Sequence, residues 1–150
     1  MALKIPPVAQ TLVAALLILL LAWALPSWRV EIAGRSLAAF LLGLVAAIVI
    51  GLAVSGFGAA KTTVDPRYPE RATNLVTGGI YMVSRNPMYL GMALLLTAFA
   101  VYLGTPAGLV IVAAFILYMN AFQIRPEEAQ LRAKFGEAYE AYCARVRRWI

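Results

Sequence analysis

Long stretches without a single charged side chain constrain this sequence more than any other feature. Residues 8–25, 36–60 and 86–124 contain no Asp, Glu, Lys or Arg. Charged residues make up 13% of the chain, whereas a soluble domain carries roughly 25%. Because so few polar side chains cannot cover a globular core, we expect a lipid bilayer to cover it. This composition excludes a free soluble enzyme, a disordered chain and a disulfide-linked scaffold.

The third stretch is too long for one membrane span and about right for two short ones. A bilayer core of about 30 Å needs about 20 helical residues, with about 17 as the lower limit. Gly104 and Pro106 interrupt this stretch near its middle, and both residue types break helices. We therefore predict an all-α integral membrane bundle of four transmembrane helices, forming one domain over residues 1–150. The predicted segments are transmembrane helices at 8–25, 36–60, 88–103 and 106–122, a cytoplasmic loop at 61–87 and a C-terminal amphipathic cytoplasmic helix at 126–148.

The first two stretches each allow a second interpretation. The first has the outline of a signal peptide, with Lys4 before it and Ala22-Trp23-Ala24 near its end, but we expect it to be retained as a span. The second carries Ala47, Gly51 and Ser55 at steps of four. Small residues at this spacing allow close helix contact, and we expect them to serve ordinary packing within the bundle.

The remaining residue counts narrow the chemistry. The chain has no histidine and a single cysteine, Cys143. This excludes Ser-His-Asp catalysis, an intrachain disulfide and most zinc, iron or copper sites, so no metal is predicted. The net charge is +6. Because the charges lie between apolar runs, we expect membrane lipids with anionic headgroups as partners, and no nucleic acid.

The distribution of Lys and Arg predicts the orientation in the membrane. With four spans, the N-terminus, the central loop and the C-terminal tail share one side. That side holds eleven of the thirteen basic residues, and only Arg29 and Arg35 lie on the other. The positive-inside rule then places both termini in the cytoplasm of a multi-pass protein, with a prokaryotic inner membrane as the expected location.

The tail has the pattern of an amphipathic helix. Pro126 suits a first helical position, and Glu127 and Glu128 complement the positive end of a helix. Gly136 is expected to interrupt the helix. Apolar residues recur at steps of three and four, which predicts one apolar stripe resting on the membrane surface. The stripe consists of Leu131, Phe135, Ala138 or Tyr139, Tyr142, Val146 and Trp149.

The helical hairpin brings polar groups together at the cytoplasmic boundary. Antiparallel neighbours joined at one end meet again at the other, so Arg85 before the third span should lie near Arg125, Glu127 and Glu128 after the fourth. Carboxylates can hold an ammonium group or ribose hydroxyls, and an arginine can hold a carboxylate. Such a cluster suits a zwitterionic, hydroxyl-rich cofactor beside an apolar substrate. A membrane anchor for the arginine and a helix cap for the glutamates stay open as alternatives.

The same residues carry a family resemblance. LVTGGIYMVSRNPMYLG at residues 75–91, followed after a hairpin by RPEEAQLRAKFGEAYEAYCARVRRWI at residues 125–150, resembles the isoprenylcysteine carboxyl methyltransferase and phospholipid methyltransferase superfamily of integral membrane enzymes. The two motifs occur in the family's order and spacing and cover about the C-terminal half of the chain. The first two spans are similar only in hydropathy.

The resemblance implies S-adenosylmethionine (SAM) as methyl donor, bound at the cytoplasmic boundary. The acceptor implied is lipophilic or small: a prenylcysteine carboxylate, a lipid amine or a small thiol. Arg85 and Arg125 would be catalytic and lie near the reacting groups. The residues implied in cofactor binding are Val76, Gly79, Tyr81, Arg85, Asn86, Pro87, Tyr89, Gly91, Glu127 and Glu128.

Asn86 departs from the family pattern, because many members have histidine there. An amide keeps its hydrogen-bonding capacity but does not titrate, so a mechanism that needs a histidine base fails here. Methyl transfer from a sulfonium tolerates that loss, since it relies mostly on alignment in a dry site. A carboxylate or thiolate acceptor needs no base. An amine would need one, for which Glu127, Glu128 or a tyrosine is the candidate.

Two other classes compete with the methyltransferase. A sterol-reductase-like membrane enzyme has a similar hairpin and tail but uses NADPH, and a non-catalytic membrane scaffold needs neither cofactor. The Glu127-Glu128 pair and the following FGEAYEAY segment favour the methyltransferase. A small ion-coupled transporter is disfavoured, because every Asp, Glu, Lys and Arg lies outside the four spans and coupling requires ionisable groups within the membrane.

Overall fold

The structure is a computed structural model that describes residues 5–59 and 74–150. All regular secondary structure in these two ranges is helical, which confirms the all-α prediction. The α-helices are α1 (Pro7–Ala24), α2 (Arg35–Ala59), α3 (Pro87–Tyr102), α4 (Gly108–Met119), α5 (Arg125–Phe135) and α6 (Glu137–Arg145). Short 3-10 segments occupy Pro26–Trp28 and Gly79–Met82, and one π turn occupies Asn120–Ile124.

Three helical rods are long and apolar enough to cross a bilayer. They are α1, the Arg35–Phe57 part of α2, and the rod Gly108–Phe135 that contains α4 and α5. The α3 helix is apolar but has only 16 residues, so the count of four spans stays a prediction. Large apolar side chains face outward on these helices, with Leu12, Leu37 and Val110 each more than 60% exposed. Outward apolar side chains are what a lipid solvent stabilises and water does not.

The main core lies where α3 meets α1 and α4. Leu96 of α3, Ile18 of α1 and Met119 of α4 are fully or almost fully buried in one apolar cluster. Along α4 the cluster includes Val112 and Phe115 before Met119, and it extends to Ile124 just before α5. This core fixes α3 against α4 and therefore fixes the two ends of the hairpin relative to each other.

The face of α2 that packs on α3 differs from the sequence-based expectation. Ala47, Gly51 and Ser55 are exposed. The small residues of α2 that are buried are Ala39, Ala46 and Ala53, which are spaced seven residues apart. In an α-helix of 3.6 residues per turn, steps of seven drift by about 20° and stay on one face, while repeated steps of four drift by about 40° each. The predicted stripe was therefore on the wrong face.

The predicted break between the third and fourth apolar runs is confirmed. The α3 helix ends at Tyr102 and α4 begins at Gly108. Gly104 has a φ of +64°, a conformation that glycine adopts without steric cost. Its carbonyl accepts a hydrogen bond of 2.8 Å from the Val30 amide, which ties the hairpin turn to the connection between α1 and α2.

The α4 helix does not end before the tail begins. The π turn joins α4 to α5 without leaving helical geometry, and the Arg125 amide donates to the carbonyl of Asn120. Pro126 has no amide hydrogen, and a widened turn just before it accommodates the missing bond. Pro126 does lie in the first turn of α5. However, Glu127 and Glu128 do not lie at a free helix N-terminus, so the cap interpretation does not apply.

The tail is split at Gly136, which has a φ of +50°, and α6 ends at Arg145. The apolar stripe packs onto the protein. Tyr139, Tyr142 and Val146 are buried against Ala53 and Tyr81, with Leu131 and Phe135 at the edge of the same cluster. The tail helices therefore cover the open end of the α3–α4 hairpin and the C-terminal end of α2.

Close packing at Gly91 generates a stability prediction. A Cβ atom at Gly91 would clash with Cγ1 of Ile50 and would lie 3.1 Å from the carbonyl oxygen of Ala46. Gly91→Ala should therefore destabilise the protein by about 1–3 kcal/mol through overpacking, measured as a lower thermal unfolding midpoint in detergent. Gly51→Ala is the matched control, because a Cβ there meets nothing within 4 Å. Equal midpoints for the two variants would contradict the α2–α3 packing.

Candidate active site

An ion pair links the two arms of the α3–α4 hairpin at its open end, which is the end opposite the turn at residues 103–107. Arg85, two residues before α3, places Nη2 3.1 Å from Oε1 of Glu128 in the first turn of α5. Both side chains are largely withdrawn from water, with exposures of 14% and 9%. The meeting of Arg85 with one of the two acids follows from the hairpin. Only the structure shows that the partner is Glu128 and that the pair is largely withdrawn from water.

A second arginine holds the same carboxylate. Arg148 donates from Nε to Oε1 of Glu128 at 3.0 Å and from Nη2 to Oε2 at 2.6 Å. This is a bidentate guanidinium–carboxylate contact, which is among the strongest side-chain pairings. The hydrogen bonds to Glu128 raise the pKa of Arg148. Arg148 was not predicted as a site residue, because an ion pair between residues twenty positions apart leaves no periodic signal in the sequence.

Glu127 has different surroundings, although it is the neighbour of Glu128. The Tyr89 hydroxyl donates to its Oε1 at 2.7 Å, and Nε2 of Gln123 donates to the same oxygen. Tyr89 and Gln123 are both buried. Consecutive helix residues point about 100° apart, so Glu127 faces the neutral groups of α3 and the π turn while Glu128 faces the arginines.

The π turn contributes two polar groups that the sequence analysis did not identify. Asn120 accepts a hydrogen bond of 3.1 Å from the indole of Trp149. Gln123 lies one turn before Glu127, and its Oε1 is buried without a hydrogen-bond partner. A buried unpaired acceptor is uncommon and marks a place where a ligand or water can donate. The sequence feature that could have identified them is the presence of two amide side chains, Asn120 and Gln123, in an otherwise apolar run.

The backbone of residues 146–149 is held by the segment before α3. The Arg85 amide donates to the carbonyl of Arg147 at 3.0 Å, and Nδ2 of Asn86 donates to the carbonyl of Arg148 at 3.0 Å. The Ser84 hydroxyl lies 3.4 Å from the same Arg148 carbonyl. Asn86 therefore uses its amide to bind the tail, a role that an untitratable side chain performs at any pH.

Three tyrosines line the tail side of the site. The Tyr142 hydroxyl donates to the carbonyl of Tyr81 at 2.7 Å, and the Tyr81 hydroxyl lies 3.4 Å from the carbonyl of Ala53. Burial raises the pKa of Tyr81, Tyr139 and Tyr142, and Glu128 further raises that of Tyr139. These phenols therefore stay protonated near neutral pH and act as hydrogen-bond donors, not as bases.

The other predicted site residues supply none of the side-chain contacts with Glu127 and Glu128 described above. Gly91 packs against α2, Arg125 is exposed, and Val76 is half-buried beside Tyr81. Gly79, with a φ of +61°, begins the 3-10 segment before α3, and Pro87 is buried at the first position of α3. The part of the predicted loop from residue 60 to 73 lies outside the described residues.

Comparison with known proteins identifies the family. The profile of the phospholipid methyltransferase family matches residues 32–138. The chain belongs to this family. A protein of Haemophilus influenzae that is described only as uncharacterised is 44% identical over 63 residues, which are 42% of this chain and the whole of that protein. No solved structure matches the chain. Family membership makes the chain a membrane methyltransferase in general terms.

The double ion pair at Glu128 generates a second prediction. Glu128→Ala would leave two guanidinium groups without their shared carboxylate, which should cost about 3 kcal/mol of unfolding free energy. Glu140→Ala removes an equal charge from an exposed pair with Arg132 and should cost little, since exposed pairs contribute little. Thermal unfolding in detergent measures both. A Glu128→Ala midpoint no lower than that of Glu140→Ala would show that the pair is not structural.

Proposed function

We propose that this protein is a SAM-dependent methyltransferase whose cofactor binds at the open end of the α3–α4 hairpin. The observation that carries the proposal is the group formed by Tyr89, Gln123 and Glu127. It combines a half-buried carboxylate held by two neutral donors with a buried, unpaired amide oxygen. Membership of a methyltransferase family supports the reaction class.

The residues present have the chemistry that this cofactor requires. Glu127 and the unpaired Oε1 of Gln123 offer acceptors for an ammonium group or for ribose hydroxyls. Arg85, whose Nε is buried and unpaired, offers a positive charge to a carboxylate. Tyr89 adds an aromatic face that can attract a sulfonium by about 0.5–2 kcal/mol. When bound, the cofactor supplies an electrophilic methyl group for in-line displacement.

The two glutamates have different roles in this proposal. Both oxygens of Glu128 are taken by arginines, so Glu128 holds the site together and does not bind the cofactor. Tyr89 and Gln123 both donate hydrogen bonds to Oε1 of Glu127. This leaves Oε2 to accept a hydrogen bond from a ligand. This assignment refines the expectation that both acids bind the cofactor.

The acceptor is proposed to be lipid-like and to approach from the bilayer. A lateral cavity of about 420 Å³ lies between α1 and α4. Its lining is almost entirely apolar and includes Leu17, Phe115 and Tyr118. Tyr118 lies two residues before the π turn. An apolar groove of this size suits a hydrocarbon tail. Prenylcysteine carboxylate, lipid amine and small thiol acceptors all remain compatible with the site.

The proposed topology places the site on the cytoplasmic side, and the native cysteine tests it. Cys143 lies on α6 and is partly exposed. A membrane-impermeant thiol reagent applied to intact cells should leave Cys143 unmodified and should label it after the membrane is opened. A Cys143→Ser/Ser27→Cys variant, with its cysteine in the exposed connection after α1, should be labelled in intact cells. The reverse pattern would contradict the topology.

Cofactor binding gives the direct test of the proposed function. The purified protein should bind S-adenosylhomocysteine in calorimetry and transfer a radiolabelled methyl group from SAM to a component of a total membrane lipid extract. Glu127→Gln should reduce affinity about tenfold or more, because it removes the charge that faces the ligand. Glu137→Gln, an equal charge change at an exposed position of α6, should bind like the unmodified protein.

The competing classes predict different outcomes when thermal unfolding is measured with S-adenosylhomocysteine or with NADPH. Thermal stabilisation by NADPH and not by S-adenosylhomocysteine would indicate a sterol-reductase-like enzyme. Stabilisation by neither compound would leave a non-catalytic scaffold. Either result would overturn the proposal.

A further inference from the structure

Residues 146–150 form a short non-helical segment, here called the clasp, that follows α6. Val146 has extended backbone angles, with φ of −123° and ψ of 131°. The clasp reaches three separate parts of the molecule: the segment before α3, the first turn of α5 and the π turn. Its polar contacts are Arg147 O with the Arg85 amide, Arg148 O with Asn86 and Ser84, the Arg148 guanidinium with Glu128, and the Trp149 indole with Asn120.

The side chain of Arg148 covers Glu128 from the solvent side. Arg148 is 32% exposed, whereas Glu128 is 9% exposed and has Arg85 on its inner side. One carboxylate therefore joins the segment before α3, the start of α5 and the clasp. Removing Arg148 would take away both charge-assisted hydrogen bonds of the bidentate contact and leave only the Arg85 pair.

The clasp connects the elements that carry the proposed ligand-facing groups. Tyr89 lies one helical turn after Arg85 and Asn86, and Glu127 immediately precedes Glu128. The hydrogen bond of 2.7 Å between Tyr89 and Glu127 therefore spans the same two helix ends that the clasp joins. A change in the distance between those ends changes the geometry of Tyr89, Gln123 and Glu127 directly.

We propose that Arg148 is a positioning residue for cofactor binding: by holding Glu128, it fixes the start of α5 against the start of α3 and so sets the arrangement of Tyr89 and Glu127. Arg148 itself does not touch the cofactor. This inference rests on the proposed function, because it assigns a role relative to the same site.

A double-mutant cycle on cofactor affinity tests the inference. The unmodified protein and its Arg148→Gln, Glu128→Gln and Arg148→Gln/Glu128→Gln variants are titrated with S-adenosylhomocysteine by calorimetry. Arg148→Gln should raise the dissociation constant about tenfold. If Arg148 acts through Glu128, the double variant should bind no more weakly than the weaker single variant. Arg145→Gln is the control, since it removes an equal charge from an exposed residue outside the clasp.

A spectroscopic measurement separates positioning from direct contact. Trp23 and Trp28 are 78% and 64% exposed, so a Trp23→Phe/Trp28→Phe background leaves Trp149 as the reporter of the clasp. Arg148→Gln should shift the Trp149 emission to longer wavelength as the clasp loosens. Arg148→Lys keeps the charge but loses the bidentate geometry, and should give an intermediate dissociation constant and an intermediate shift. It also serves as the test if Arg148→Gln does not fold.

The outcomes that overturn the inference are distinct from those that overturn the function. Unchanged or tighter binding by Arg148→Gln, with normal binding by the unmodified protein, would overturn the positioning role alone. A double variant whose dissociation constant rises by the product of the two single-variant increases would also overturn the positioning role. So would weaker binding by Arg148→Gln without any change in Trp149 emission. Failure of the unmodified protein to bind S-adenosylhomocysteine would overturn both the inference and the proposed function.

Discussion

The arrangement of the open end of the α3–α4 hairpin depends on the carboxylate of Glu128, which lies between Arg85 and Arg148. Taking a carboxylate out of water costs several kcal/mol unless it is paired and hydrogen-bonded. Here three nitrogen–oxygen contacts of 3.1, 3.0 and 2.6 Å satisfy both of its oxygens. The contact joins the segment before α3, the start of α5 and the tail. Within the spans, apolar packing orders the helices. At the open end of the hairpin, the ion pairs of Glu128 perform that task.

The pair Glu127-Glu128 shows how a helix gives two identical side chains different functions. Their side chains point about 100° apart, so one faces the arginines and the other faces Tyr89 and Gln123. The π turn at Asn120–Ile124 adds one residue to the rod just before this point. It accommodates Pro126 and aims two amides at the site, as π turns often do at functional positions. In the proposed function, one acid binds and the other holds the binding group in place.

Much of this architecture was predictable from the sequence, for identifiable reasons. Charge-free runs predict helices in a bilayer, Gly104 and Pro106 predict the hairpin turn, and the hairpin predicts that Arg85 meets an acid. The packing face of α2 was not predictable from a stripe of small residues, because spacings of four and seven select different faces. Arg148 was not predictable, because its partner is set by tertiary structure. Gly91 belongs to a recognisable motif, yet its lack of a side chain is explained by contact with Ile50 and Ala46.

The most direct test of the account is an experimental structure of the protein bound to S-adenosylhomocysteine in a lipid environment. The account predicts ligand density in contact with Glu127 and Gln123, with Glu128 still held by Arg85 and Arg148 and with residues 146–150 in place. A ligand bound through Glu128, with the Arg148 contact broken, would contradict the division of roles between the two glutamates. A ligand bound away from the open end of the hairpin would contradict the assignment of the site.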